Sequence, residues 1–394
     1  MKQLPVITAL ILGLTLLGCK GEAKDSVKSY TSIDRDNYES GIISSFGAQP
    51  TIAMTDGDMV GVTYGDKEII YYAESSNGGT SFNEPEVVDT LEGLLLGYSS
   101  GPQIVYTQNS VTITAPSRTG NIYAWTKARA NGTWEGPFRI NDVDKSVAEC
   151  LLAITTSKEG DIYSTWIDTR PSETTDATNS ATAEAQPEET TKGMKPKPQA
   201  KIYVSTSKDE GKTWSKSELV YQSPDGSVCE CCKPSIASDA DGNLVIMFRN
   251  NIDGSRDLHY TTSTDKGVSF SPAQKLGSGT WKINGCPMDG GGFTSFGNDG
   301  IMSAWQREGM VYTATSDLSE QLIGEGRAPS ISGNRETYSL VYTNGDEVMA
   351  IHEPMTMSEK IGNGTSAKVL ATDHGLIYIW ASEEGIAYKT FNRQ

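Results

Sequence analysis

The stretch Ser207-Lys208-Asp209-Glu210-Gly211-Lys212-Thr213-Trp214 decides the fold, because it recurs. A second copy reads Ser263-Thr264-Asp265-Lys266-Gly267-Val268-Ser269-Phe270, and a relaxed third reads Ser75-Ser76-Asn77-Gly78-Gly79-Thr80-Ser81-Phe82. Asn131-Gly132-Thr133-Trp134 looks like a shortened fourth. Each copy sits between two strand-like runs. Gly211 and Gly267 supply the positive φ of a tight turn. Asp209 and Asp265 accept hydrogen bonds from nearby backbone N–H groups, and Ser207 and Ser263 join the same local network. Trp214, Phe270 and Phe82 then fold back onto the sheet as apolar plugs. A turn repeated once per unit makes this a repeat fold.

Working outward, seven segments can be superposed. The clearest runs Pro234-Ser235-Ile236-Ala237, then Leu244 to Phe248, Leu258 to Thr262, and Gln274-Lys275-Leu276. The others begin near Pro50, Pro102, Leu151, Gly291, Pro329 and Ala367. Their spacing of about 35 to 55 residues, the third unit aside, falls in the range of propeller repeats. Four strands per unit and no 3.6-residue periodicity predict an all-β fold, a β-propeller of four-stranded antiparallel blades. The count is seven blades, or six if the weak last two units share one. The final unit supplies three strands, ending at Tyr388-Lys389-Thr390-Phe391, so its fourth is expected from the N-terminal side, around Ile42 to Phe46 or Ser29 to Ile33. That closure would remove two free sheet edges. The third unit carries an insertion, 171–199, rich in Thr, Ala, Glu and Pro. It has too little apolar surface to order itself and reads as a mobile loop.

The N-terminus has another purpose. Met1-Lys2, an apolar run from Leu4 to Leu17 and a small residue at Gly18 read as a secretory signal over 1–18. Leu16-Leu17-Gly18-Cys19 resembles a bacterial lipobox, and the resemblance implies cleavage before Cys19, lipidation of its sulfur and a place in the cell envelope, periplasmic or surface-facing. Acyl chains turn a soluble domain into an anchored one. Residues 19–40 read as a polar tether and 41–394 as the propeller. The formal charge of −17 argues against nucleic acid as a partner. It also makes any cluster of the eleven arginines informative.

The repeated turn resembles the Asp-box, or BNR repeat, of the sialidase-like propellers. The resemblance covers most of residues 45–394 through the repeat pattern and implies the fold more than an activity. In that superfamily the boxes lie on the face away from the active site. On the other face, the starts of first strands and the ends of second strands should meet.

Three first strands start with cysteine: Cys150; Cys229-Glu230-Cys231-Cys232; and Cys286-Pro287-Met288. All five cysteines after Cys19 therefore map to one sector of one rim. Disulfides stapling adjacent blades are one reading. The other is a soft metal such as copper held by thiolates with Met288, or a redox thiol. Four second strands end with arginine, at Arg118, Arg170, Arg249 and Arg307. They would make a cationic arc for planar, bidentate recognition of an anion, with Trp281 nearby; the alternative is that each pairs with a local carboxylate.

Sialidase activity would need a carboxylate-binding arginine triad, a Tyr–Glu nucleophile pair and an acid/base. Phe138-Arg139-Ile140-Asn141 imitates the family's early arginine element only superficially, and no Tyr–Glu pair can be assigned. Candidate carboxylates are Asp168, Glu308 and Asp289, with Glu149 and Glu230 on the same rim. Three functions remain open: binding of a small anionic ligand, such as an acidic glycan, at an Arg- and Cys-lined mouth; exo-acting glycoside hydrolysis of sialidase type; and copper or redox handling by the cysteines. No cofactor is firmly implied.

Overall fold

A computed structural model describes residues 33–393 except 56, 98–99, 131, 148–150, 171–198, 240, 296–299, 316–319, 334–337 and 353–356. The signal sequence, Cys19, Glu149, Cys150 and all of the 171–199 insertion except Gln199 lie outside the described residues. The chain forms seven four-stranded sheets with every neighbouring strand pair antiparallel, and no helix among the described residues. The seven-bladed reading holds. The innermost strands are Ala48–Met54, Gln103–Tyr106, Leu152–Thr156, Ser235–Ser238, Gly292–Ser295, Arg327–Gly333 and Thr365–Ala371.

Burial follows position in the blade. Second strands are covered on both faces by neighbouring blades, so Ser110–Ser117 and Ile162–Asp168 are buried along their whole length. A strand in that setting meets packed neighbours on both faces, so its polar positions before the last are filled by Ser and Thr, as in Ser110-Val111-Thr112-Ile113-Thr114-Ala115 and at Ser164 and Thr165. Outermost strands meet water, and Glu135–Arg139 is almost entirely exposed. The core is divided accordingly into seven apolar clusters, one at each blade–blade contact. In one of them Tyr163, Ile202 and Val204 of the third blade pack on Leu244, Ile246 and Phe248 of the fourth. In another Tyr64, Val60 and Val62 of the first blade pack on Ile377, Ile379 and Ile386 of the seventh.

The seventh blade closes as expected, with one boundary moved. Its outer strand is Ile33–Ser44, paired with Gly385–Arg393 through Ser40 with Lys389 and Ile42 with Ala387. Among the described residues the propeller reaches back to residue 33, and residues 33–40 belong to a strand rather than a tether. Their polarity misled the reading because an outermost strand has one face in solvent. Tyr38 anchors the strand, with its ring 6.0 Å from Phe391 and the Lys389 ammonium 4.1 Å above it.

Candidate functional site

The turn repeats fix which face is which. Gly211 N and Gly267 N each donate to the Ser207 or Ser263 hydroxyl at 2.9 Å. Asp209 accepts the Thr213 N–H at 2.8 Å, and Asp265 accepts that of Ser269 at 2.9 Å. Gly211 and Gly267 adopt φ of 85° and 86°. The Ser269 hydroxyl, then the Ser269 N–H and the Ser263 hydroxyl, hold the exposed Asp265 carboxyl down at about 2. In the fourth blade Ser263 pairs with Leu244, where the second strand starts, and Leu258 pairs with Arg249, where it ends. Cys229 N donates to Arg249 O at 2.9 Å. The boxes therefore occupy one face, and the described cysteines and second-strand arginines the other.

The arginines sit where the spacing puts them, but three are engaged by the protein. Arg170 donates to both carboxylate oxygens of Asp168, at 3.0 and 2.7 Å, pairs with Asp142 at 3.1 Å and lies 4.0 Å over the Tyr203 ring. Arg249 is 2 % exposed and donates to three main-chain carbonyls, of Asp289, Arg256 and Gln306, at 2.9, 2.6 and 3.0 Å. Arg307 forms a two-point pair with Glu320 and lies 4.1 Å over Tyr312. Arg118 is exposed. The arc therefore consists of an exposed arginine and three that lock loops and blades together. Trp281 is buried under Arg249, its ring 5.7 Å from the guanidinium.

The candidate carboxylates are dispersed. Asp168 is fully buried, and its oxygens also accept the Ser146 hydroxyl at 2.7 Å and the Trp166 indole N–H at 2.9 Å. This carboxylate is engaged by the protein's own donors on both oxygens. Glu308 is exposed at the turn joining Ile301–Arg307 to Met310–Thr315, with φ of 54°. Asp289 alone of the three reaches the axis. Its oxygens accept the Gly291 and Ala328 N–H groups at 2.9 and 2.8 Å, which ties the fifth blade to the sixth.

Four cysteines converge. Cys231 and Cys286 form a disulfide with Cα atoms 6.2 Å apart, while Cys229 and Cys232 are buried thiols. Cys229 Sγ lies 3.3 Å from Cys232 Sγ and 3.7 Å from Cys231 Sγ. The shared hydrogen bond with Cys232 brings the Cys229 thiol down to about 7 against the effect of burial, with help from Arg256 and Arg249. The same bond and burial push Cys232 well up. The sulfurs of Cys229, Cys231 and Cys232 lie within 4.8 Å of one another, close enough to ligate one soft ion. Cys231 is instead committed to Cys286. Met288 is half-buried beside this group in sequence, with φ of 53°.

The feature not foreseen lies on the axis. A cavity of about 250 Å³ opens between the innermost strands. One residue from each blade gives it an apolar girdle: Ile52, Ile104, Ile154, Ile236, Phe293, Ile331 and Val369. One step nearer the cysteine face it turns polar, with Thr51, Gln103, Ser235, Ser330 and Lys368, and Lys233 and Asp289 join them. Lys233 Nζ donates to Gln103 Oε1 at 2.6 Å. Burial, and then repulsion from Lys368, bring the Lys233 ammonium down to about 7. Lys368 is lowered by burial too, with Asp289 opposing. Gly290 lets the fourth and fifth blades close around this point, since a Cβ there would overlap the Lys233 carbonyl. The sequence signal was present: Lys233 follows Cys232 directly, and Lys368 is the one charged residue of an innermost strand, Thr365–Ala371.

Residues 97–284 match the BNR repeat-like domain. No curated protein matches the sequence. Among solved structures, a protein of unknown function from Dyadobacter fermentans superposes with a TM-score of 0.52 at 12% identity, covering 90% of this chain and 98% of that one. An α-L-arabinanase from Penicillium chrysogenum gives 0.51 at 11% identity, covering 90% and 98%. A PL25 ulvan lyase gives 0.52 at 11% identity, covering 89% and 95%. At these identities the likeness is one of fold.

Proposed function

For this sialidase-like BNR β-propeller we propose recognition of one small anionic ligand, an acidic sugar, in the axial cavity. The observation that carries the reading is the pair Lys233 and Lys368 in a pocket where, among the described residues, Asp289 is the one carboxylate. Both Asp289 oxygens already accept backbone N–H groups. Both lysines are half-buried; drawing two ammonium groups from water without enough local anion is costly, and their lowered proton affinity is in line with that cost. An entering carboxylate or sulfate relieves it. Gln103, Thr51, Ser235 and Ser330 offer partners for hydroxyls, and the aliphatic girdle suits the apolar face of a sugar ring. The volume of about 250 Å³ is below the roughly 300–1,000 Å³ of drug-sized pockets, which fits one ring rather than a chain. Two propellers of like fold hold saccharides: the arabinanase is complexed with arabinobiose, and the ulvan lyase is bound to a GlcA(1-4)Rha3S unit.

Hydrolysis is the less favoured reading. A retaining glycosidase places two carboxyl groups about 5–5.5 Å apart across the bond, whereas Asp168 is locked by Arg170 and Glu308 is on an exposed turn. Calorimetric titration with glucuronate and N-acetylneuraminate tests the proposal. Lys233→Met and Lys368→Met are each expected to weaken binding at least tenfold. Unchanged binding in both variants would sink it, and turnover of fluorogenic acidic glycosides would revive the enzyme. The setting we propose is the cell envelope, with the chain anchored by a lipidated Cys19; fatty-acid labelling that survives Cys19→Ser would refute the anchor.

A further inference from the structure

Away from the cavity chemistry, the four cysteines form two unlike pairs stacked in depth. Cys229 and Cys232 are 0 % and 1 % exposed, whereas Cys286 is exposed and Cys231 half-buried. The dithiol is buried while one sulfur of the disulfide is exposed, and Cys229 Sγ touches Cys231 Sγ at 3.7 Å. The spacing of the buried pair, Cys229-Glu230-Cys231-Cys232, is that of the Cys-x-x-Cys redox centres in which the first thiol is the activated one. The surroundings favour a thiolate. Arg249 is buried against carbonyl groups alone among its hydrogen-bond partners, and Arg256 Nε is buried without a hydrogen-bond partner. Two such cations call for a nearby anion.

We propose that Cys229, Cys232, Cys231 and Cys286 constitute a thiol–disulfide relay that passes two electrons from the buried dithiol to a disulfide presented at the surface by an exported protein or small molecule. In the first step the Cys229 thiolate attacks the Cys231 sulfur. The Cys229–Cys231 bond forms, the Cys231–Cys286 bond breaks, and the electron pair leaves on Cys286. Cys232 then attacks Cys229, forming Cys229–Cys232 and releasing Cys231. The proton Cys232 gives up goes through water to one of the two released sulfurs, so the oxidation state of the protein is unchanged. The exposed Cys286 thiolate next attacks the external disulfide, and Cys231 resolves the mixed disulfide. The Cys231–Cys286 bond is restored and two external thiols depart. A dithiol donor returns the buried pair to its starting state. The lowered proton affinity of Cys229 and raised affinity of Cys232 fit attacking and resolving roles.

The test is alkylation with iodoacetamide under native conditions, then denaturation, N-ethylmaleimide and peptide mass spectrometry, on protein poised at the Cys231–Cys286 disulfide. The expected result is iodoacetamide on Cys286 and Cys231 and a bond between Cys229 and Cys232: the label lands on the residues that began as the disulfide. Cys229→Ser should slow labelling of Cys286 at least tenfold. Cys232→Ala, a smaller change to the core, should trap a Cys229–Cys231 bond with Cys286 alkylated. An intact Cys231–Cys286 bond, with Cys229 and Cys232 labelled only after unfolding, overturns the relay. So does a stoichiometric metal ion held by four reduced cysteines in the purified protein.

Discussion

If Lys233 is the anion's partner, binding must take up a proton near neutral pH, and the size of the effect can be worked out. With its ammonium brought down to about 7 in the empty cavity, Lys233 is about nine-tenths charged at pH 6 and about one-tenth charged at pH 8. If only the charged form accepts the ligand, the apparent Kd of glucuronate rises roughly tenfold between those pH values, or about 1.4 kcal/mol. Lys368, also lowered, can only steepen the slope. Calorimetry at pH 7.5 in two buffers of different ionisation enthalpy reads the proton directly, and the expected uptake at Lys233 is about three-quarters of a proton per ligand. The unliganded protein should show the matching trend in stability. The unfolded chain holds this proton up to about 10.5 and the folded chain only to about 7. The unfolded state therefore binds more protons across that window, and Lys233 disfavours folding less as pH rises through it. A flat affinity from pH 6 to 8, or a pH dependence preserved in Lys233→Met, would refute the reasoning.

Further outcomes follow from the geometry. Gly290→Ala forces a methyl against the Lys233 carbonyl and should cost about 1–3 kcal/mol in urea unfolding while weakening the cavity ligand. Asp168→Asn removes the buried one of Arg170's two carboxylate partners, leaving Asp142, and should cost about 3 kcal/mol, with the Kd of the cavity ligand unchanged by calorimetry. Ser263→Ala removes the hydroxyl that receives the Gly267 N–H and should lower stability by about 1 kcal/mol, again without effect on binding. Deleting residues 33–44 bares the Gly385–Arg393 edge, and size-exclusion chromatography should show self-association, since an open strand edge is a pairing template.

Local chemistry explains what could be read from the chain. The turn Ser207 to Trp214 is legible because its hydrogen bonds are made within eight residues, and its repetition gives the blade register. The register in turn places Arg170, Arg249 and Arg307 on the face opposite the boxes. What it could not supply is the partner of each side chain. Arg249 binds carbonyls 40 and 57 residues away, and Arg307 meets Glu320 across a hairpin. Lys233 and Lys368 were missed for the same reason. They are 135 residues apart in sequence, and nothing but the circular closure brings the fourth and seventh innermost strands to one axis. The cysteines were intermediate: their convergence followed from strand starts, but the division into an exposed bond and a buried pair depends on depth.

The closing strand also orders events during synthesis. Of the described strands, Ile33–Ser44 is the first to leave the ribosome, and its partner Gly385–Arg393 is the last. Ser40 and Lys389 must therefore wait for some 350 residues to be made before they pair. Loop-closure cost grows only slowly with length, so the final join is affordable thermodynamically but late kinetically. Until it forms, the seventh blade lacks its outer strand, and the ring must be held shut by packing between the first and seventh blades without that strand pairing. A cell making this chain would thus need to keep Ile33–Ser44 unpaired until Gly385–Arg393 arrives.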